Sequence, residues 1–104
     1  MIEVRNPASG ELLATVPALE GPALQALATR GRAAQPQWAA LGFDGRARVL
    51  ARMQRWLLDN AEQVIETIVS ETGKAYEDAQ LLELGYGVSA LSFWARHAAD
   101  YLGE

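Results

Sequence analysis

Apolar and polar positions alternate at the start of the chain and then switch to a helical period. Ile2 and Val4 alternate with Glu3 and Arg5, and Leu12, Ala14 and Val16 with Leu13 and Thr15, which predicts two strands. Asn6-Pro7-Ala8-Ser9-Gly10 between them is a turn sequence. Pro7 presets φ, the Asn6 side chain caps its own turn, and Gly10 supplies a left-handed position. Residues 1–17 therefore read as a β-hairpin, ended by Pro17.

From Pro22 onward the apolar residues recur every three or four positions. Leu24, Leu27, Ala28 and Gly31 predict a helix over 22–35, with Pro22 in its first turn and Pro36 as its stop; Trp38 and Leu41 then fall in a connection closing at Gly42. A second helix is expected over 44–59, capped by Asp44, with Val49, Leu50, Met53 and Leu57 as its stripe. A third, over 60–72, starts from Asn60 with Gln63 at capping-box spacing, carries Val64, Ile65, Ile68 and Val69, and stops at Gly73. The last runs over 76–102, its period kept by Leu81, Leu84, Val88, Leu91, Ala95, Ala98 and Leu102. Gly85 and Gly87 lie inside it, each costing about 1 kcal/mol relative to Ala, and close packing of another backbone would account for them. The fold class expected is mostly α with an N-terminal β-hairpin.

Composition agrees. Of the 104 residues 19 are Ala and 14 Leu, both strong helix formers. There is no cysteine, so no disulfide, thiolate metal site or thiol nucleophile lies in this chain. With mixed charge at Ile2-Glu3-Val4-Arg5 and no apolar run near the roughly 20 residues of a membrane span, the expectation is a cytoplasmic protein with no membrane partner.

Net charge is −4, unevenly spread. Residues 30–55 hold six arginines against Asp44, whereas residues 56–104 hold nine acids against Lys74 and Arg96. Arg48, Arg52 and Arg55 at i, i+4, i+7 form one helical stripe of the kind that meets phosphates. The acidic balance points instead to a solvated or internally paired face, and no nucleic-acid partner is expected.

Three further patterns look like chemistry. Gly85-Tyr86-Gly87-Val88-Ser89-Ala90 matches the dinucleotide fingerprint G-x-G-x-x-A, but the residues before it read as helix rather than strand, and too few follow to supply the acidic ribose partner about 20 residues on. Gly73-Lys74 lacks both the first glycine and the Ser/Thr of a phosphate loop. Lys74, beside Glu71, fits a helix-terminal role. His97, the single histidine, with Asp100 offers two metal ligands where a closed site needs about four. No catalytic, cofactor-binding or metal residue is assigned in this chain.

An ordered set of segments carries a resemblance. Asn6-Pro7-Ala8-Ser9-Gly10-Glu11 with Ala14-Thr15-Val16-Pro17, then Pro36-Gln37-Trp38-Ala39, Arg46-Ala47-Arg48-Val49-Leu50, Glu71-Thr72-Gly73-Lys74 and Phe93-Trp94-Ala95, resembles the opening of the aldehyde dehydrogenase superfamily. Residues 71–101 look most like bacterial succinate-semialdehyde dehydrogenases. The resemblance implies the N-terminal segment of that α/β fold, with the catalytic domain and most of the cofactor-binding domain absent. It also implies a parent enzyme that oxidises an aldehyde to a carboxylic acid with NAD or NADP. In the family a cysteine thiolate attacks the aldehyde, an amide and a backbone N–H hold the oxyanion, and a glutamate activates water. None of these residues can be carried onto this chain. The family's substrate tunnel is lined partly by the helix matching Leu81–Phe93, which makes Leu82 and Tyr86 the tunnel candidates. The partners implied are the remainder of the parent enzyme and further copies in a homo-oligomer. The alternative from another class is a stand-alone helical interaction domain without catalysis.

Overall fold

A computed structural model describes residues 1–103. Two strands, β1 (Ile2–Arg5) and β2 (Leu12–Val16), pair antiparallel, with Ile2 opposite Val16, Val4 opposite Ala14 and a bulge where Arg5 meets Leu12. The turn forms as its residues dictate. Asn6 Oδ1 accepts the N–H groups of Ala8 at 2.9 Å and Ser9 at 3.3 Å, Gly10 N–H reaches the Asn6 carbonyl at 2.8 Å, and Gly10 takes φ 75°.

Five helical elements follow: α1 (Gly21–Ala40), α2 (Gly42–Asp59), α3 (Ala61–Thr72), a single turn α4 (Tyr76–Asp78) that continues as a π-helical segment (Ala79–Gly85), and α5 (Tyr86–Leu102). α2 packs along α5, and α3 packs on the π segment. The only buried apolar residues among those described are Ile65 (2% exposed), Ala79 (0%) and Leu84 (8%), flanked by half-buried Leu57, Ala61, Val64, Ile68, Val69 and Val88.

Several boundaries differ from the sequence reading. Pro36 does not stop the first helix, which runs on to Ala40 and takes Trp38 with it. Proline forfeits its hydrogen bond to the carbonyl four residues back. Here that carbonyl belongs to exposed Arg32, so water satisfies it, while alanines on both sides favour continuing. The break comes at Gly42, with φ 65°. Asp44 is not a cap: α2 begins at Gly42, and Asp44 sits in the first turn, where its charge complements the helix dipole. Asn60 serves the helix before it, donating from Nδ2 to the Trp56 carbonyl at 2.8 Å, and makes no side-chain bond to α3. Gly73 does end α3, at φ 71°; a Cβ there would stand 3.0 Å from Pro7 Cγ, so the hairpin turn rests on this glycine.

The largest departure is the π segment inside the expected continuous helix. Ala79 and Leu84, five residues apart, are both buried against Ile65. An i→i+5 turn puts them on one face, whereas α-helical spacing would not. Tyr86 N–H accordingly points at the Leu81 carbonyl, five residues back. Leu81, expected on the core stripe, is thereby turned out to solvent, as is Leu102 at the helix end. Nor does another backbone press on the glycines. A Cβ on Gly87 would meet nothing within 4 Å, and one on Gly85 would meet only the Gln80 carbonyl of its own helix, at 3.2 Å.

The chain exposes 7876 Å², against about 5,700 Å² for a folded monomer of this mass. Its radius of gyration is 17.4 Å, where a closed domain of this length has about 13 Å. It is an open assembly of helices around a very small core.

Candidate functional site

Leu82, in the π segment, and Tyr86, in the first turn of α5, are each exposed, 65% and 73%, and Leu82 does not line the groove at Tyr86. Tyr86 forms an open groove of about 350 Å³ with Ser89, Ala90, Phe93 and Trp94. The π turn projects these side chains outward by consuming the inward positions for Ala79 and Leu84. No titratable group lines the groove apart from Tyr86, so the surface offers shape and apolar contact rather than acid–base chemistry.

The ionisable residues are dispersed. Lys74 pairs with Glu83 across the turn that follows α3, and not with Glu71. His97 Nδ1 lies 3.1 Å from Asp100 Oδ2, and its ring stacks at 4.8 Å on Phe93. Tyr76 donates its hydroxyl to Glu62 Oε2 at 2.7 Å, and this bond, reinforced by desolvation and the charges of Glu62, Glu66 and Glu77, holds the phenol above its usual pKa. Among the described residues no three metal-ligating side chains converge, and Arg48, Arg52 and Arg55 are exposed without an ion pair.

The glycine pattern does not fit a dinucleotide. Gly85 closes the π segment and Gly87 lies inside α5, so the backbone N–H groups there are spent on helical hydrogen bonds, and no strand feeds a free helix N-terminus toward a pyrophosphate. No cofactor contact is therefore assigned to these residues.

One polar arrangement was not foreseen. Arg46 bridges the break between α1 and α2, donating to the Ala39 carbonyl at 3.1 Å while its guanidinium stands 4.6 Å over the Phe43 ring. With Trp38, Leu50 and Trp94 it walls a hollow of about 150 Å³. The i, i+3 spacing of Phe43 and Arg46 was the available signal, but it was masked by placing Trp38 in a loop. Gln54 Nε2 donates to the Val88 carbonyl at 3.1 Å, fixing α2 against α5.

Comparison with known proteins places the chain. The family model described as "Aldehyde dehydrogenase family" matches residues 1–104. A malonate-semialdehyde dehydrogenase of Geobacillus thermodenitrificans is 36% identical over 101 residues, which are 97% of this chain and 21% of that protein. A malonate-semialdehyde dehydrogenase of Bacillus thuringiensis is 38% identical over 105 residues, 100% of this chain and 21% of the relative. A probable NADP(+) succinate-semialdehyde dehydrogenase of Sinorhizobium fredii is 31% identical over 101 residues, 97% of this chain and 20% of the relative. No solved structure matches the chain significantly. The chain thus spans about a fifth of the length of these curated relatives. With the family's pattern running from its first residue to its last, the chain belongs to the aldehyde dehydrogenase family.

Proposed function

We propose that the chain is the N-terminal structural segment of an NAD(P)-dependent aldehyde dehydrogenase and is inactive by itself. The observation that carries this reading is a family match along the whole chain that occupies only a fifth of each relative. The parent enzyme oxidises an aldehyde to a carboxylic acid. Its substrate class is the semialdehyde of a short dicarboxylic acid, succinate semialdehyde among them, in keeping with what the relatives are named for. The thiol nucleophile, the oxyanion donors and the nicotinamide site belong to the other four-fifths, since this chain has no cysteine and its glycine pair is helical. Leu82 and Tyr86 contribute apolar wall to the substrate passage of that enzyme, which works in the cytoplasm as a homo-oligomer. No described helix is long and apolar enough to cross a membrane.

The test is reconstitution. The purified chain alone should neither oxidise malonate or succinate semialdehyde nor hydrolyse activated esters. Co-expressed with the Geobacillus thermodenitrificans relative lacking its matching segment, it should restore oxidation. Restored enzyme carrying Leu82→Trp should show a raised KM with kcat little changed. Turnover by the chain alone would overturn the reading. Failure to restore activity, with the partner shown to be folded, would leave the stand-alone interaction domain as the better account.

A further inference from the structure

The apolar period assigns Leu81 to the core stripe with Leu84 and Val88, yet its side chain is 67% exposed. The cause is a hydrogen bond. Tyr86 N–H reaches the Leu81 carbonyl, five residues back. That bond sets Leu81 and Tyr86 one π turn apart on one face, just as the same spacing sets Ala79 and Leu84 on the buried face. An α turn leaves three residues between two inward positions at i and i+4. Here there are four, Gln80, Leu81, Leu82 and Glu83, and all four are exposed.

The segment is built for this turn. A Cβ on Gly85 would stand 3.2 Å from the Gln80 carbonyl, again five residues back, and glycine leaves that approach free. The core does not need the extra residue, because with one fewer Ala79 and Leu84 would share a face at ordinary α spacing. Its product lies on the outside. It takes Leu81 off the core stripe and sets it on the face of Tyr86, beside Leu82. Leu81 thereby extends by one turn the apolar strip of Tyr86, Ala90 and Phe93. The strip also carries no free acid: Glu83, the only one among residues 79–94, is paired with Lys74. An anionic semialdehyde meets no lone carboxylate along such a wall, and its methylene carbons meet leucine.

We infer that Leu81 is a further specificity-determining residue, a third wall of the substrate passage beside Leu82 and Tyr86, put there by the π turn. Its bulk holds the passage to short, unbranched aldehydes. The inference rests on the enzymatic reading above and deepens it.

Steady-state kinetics of the reconstituted enzyme test it. Leu81→Trp should raise KM for succinate semialdehyde about fivefold with kcat changed less than about twofold. Leu81→Ala should raise kcat/KM for 3-methylbutanal, a branched aldehyde, about threefold. Deleting Gln80 restores α spacing between Ala79 and Leu84 and turns Leu81 away from Tyr86, so in that background Leu81→Trp should leave KM unchanged. In the isolated chain Leu81→Trp should leave the urea midpoint where it is, which a structural role would not. Turnover restored by the native chain, with KM unmoved by Leu81→Trp, would overturn the inference and spare the enzymatic reading. A Trp effect that survives deletion of Gln80 would overturn it too, since the π turn would then not place the side chain. A native chain that restores no turnover fails the reading itself, and the inference falls with it.

Discussion

α3 with the π segment and α1 are built from similar residues and meet opposite fates. α3 has Val64, Ile65, Ile68 and Val69 and sets Ile65 into a closed contact with Ala79 and Leu84. α1 has Leu24, Leu27 and many alanines and buries nothing. The difference is not a lack of helix formers, since α1 is rich in Ala and Leu and stays helical through Gly31 and Pro36. It is whether the chain supplies a second surface. Gly73 turns the backbone sharply enough for the next helix to fold back across α3, and the π turn then aims two residues at Ile65. Gly42 also turns the chain, yet the α1 it follows projects away with its stripe uncovered. Stability in this molecule follows packing rather than local preference.

The contrast is broken most severely at its core. Ile65→Ala removes the centre of the buried trio and should lower stability by roughly 2–5 kcal/mol, whereas Leu27→Ala should change it by less than about 0.5 kcal/mol in the monomer. Urea unfolding of the two variants side by side measures this. Next comes the turn that lets α3 fold over. Gly73→Ala forces a Cβ into a left-handed position and toward Pro7, a loss of about 1–2 kcal/mol, which thermal melts would detect. Smaller and opposite in sign, Gly87→Ala adds a methyl to open space within a helix and should stabilise by about 0.5–1 kcal/mol. Gly85→Ala, against the Gln80 carbonyl, should gain less or lose.

The smallest effect is a pH response. The hydrogen bond to Glu62 raises the Tyr76 pKa above 10.0, so its folded-state value exceeds the unfolded one. The stability it contributes is therefore complete below about pH 10 and is lost as pH rises through the folded-state value. Tyr76→Phe should lower the melting temperature slightly near neutrality, where the bond is intact, and flatten its fall over that alkaline window, so that the two proteins converge at high pH.

Much of this fold is legible in the residues. Asn6 and Gly10 specify the turn, Gly73 specifies the end of α3, and the family pattern runs from Asn6 to Trp94. Where the reading failed, a tertiary cause prevailed over a local rule. Pro36 ordinarily stops a helix, but the carbonyl it orphans lies in water, and Trp38 is needed beside Phe43 and Arg46. The π turn leaves no mark on a pattern scan, because its reason is a contact between Ala79, Leu84 and a residue of another helix. Exposure of Leu82 and Tyr86 follows from that same turn.

Hydrogen exchange of the chain, followed by mass spectrometry at a dilution where it is monomeric, tests the central claim most directly. Amides around Ile65, Ala79 and Leu84 should exchange slowest, and those of residues 21–40 should exchange near the rate of an open helix. If α1 at high dilution were as protected as α3, the chain would be closing its own surface, and the account of an open segment awaiting a cover would be wrong.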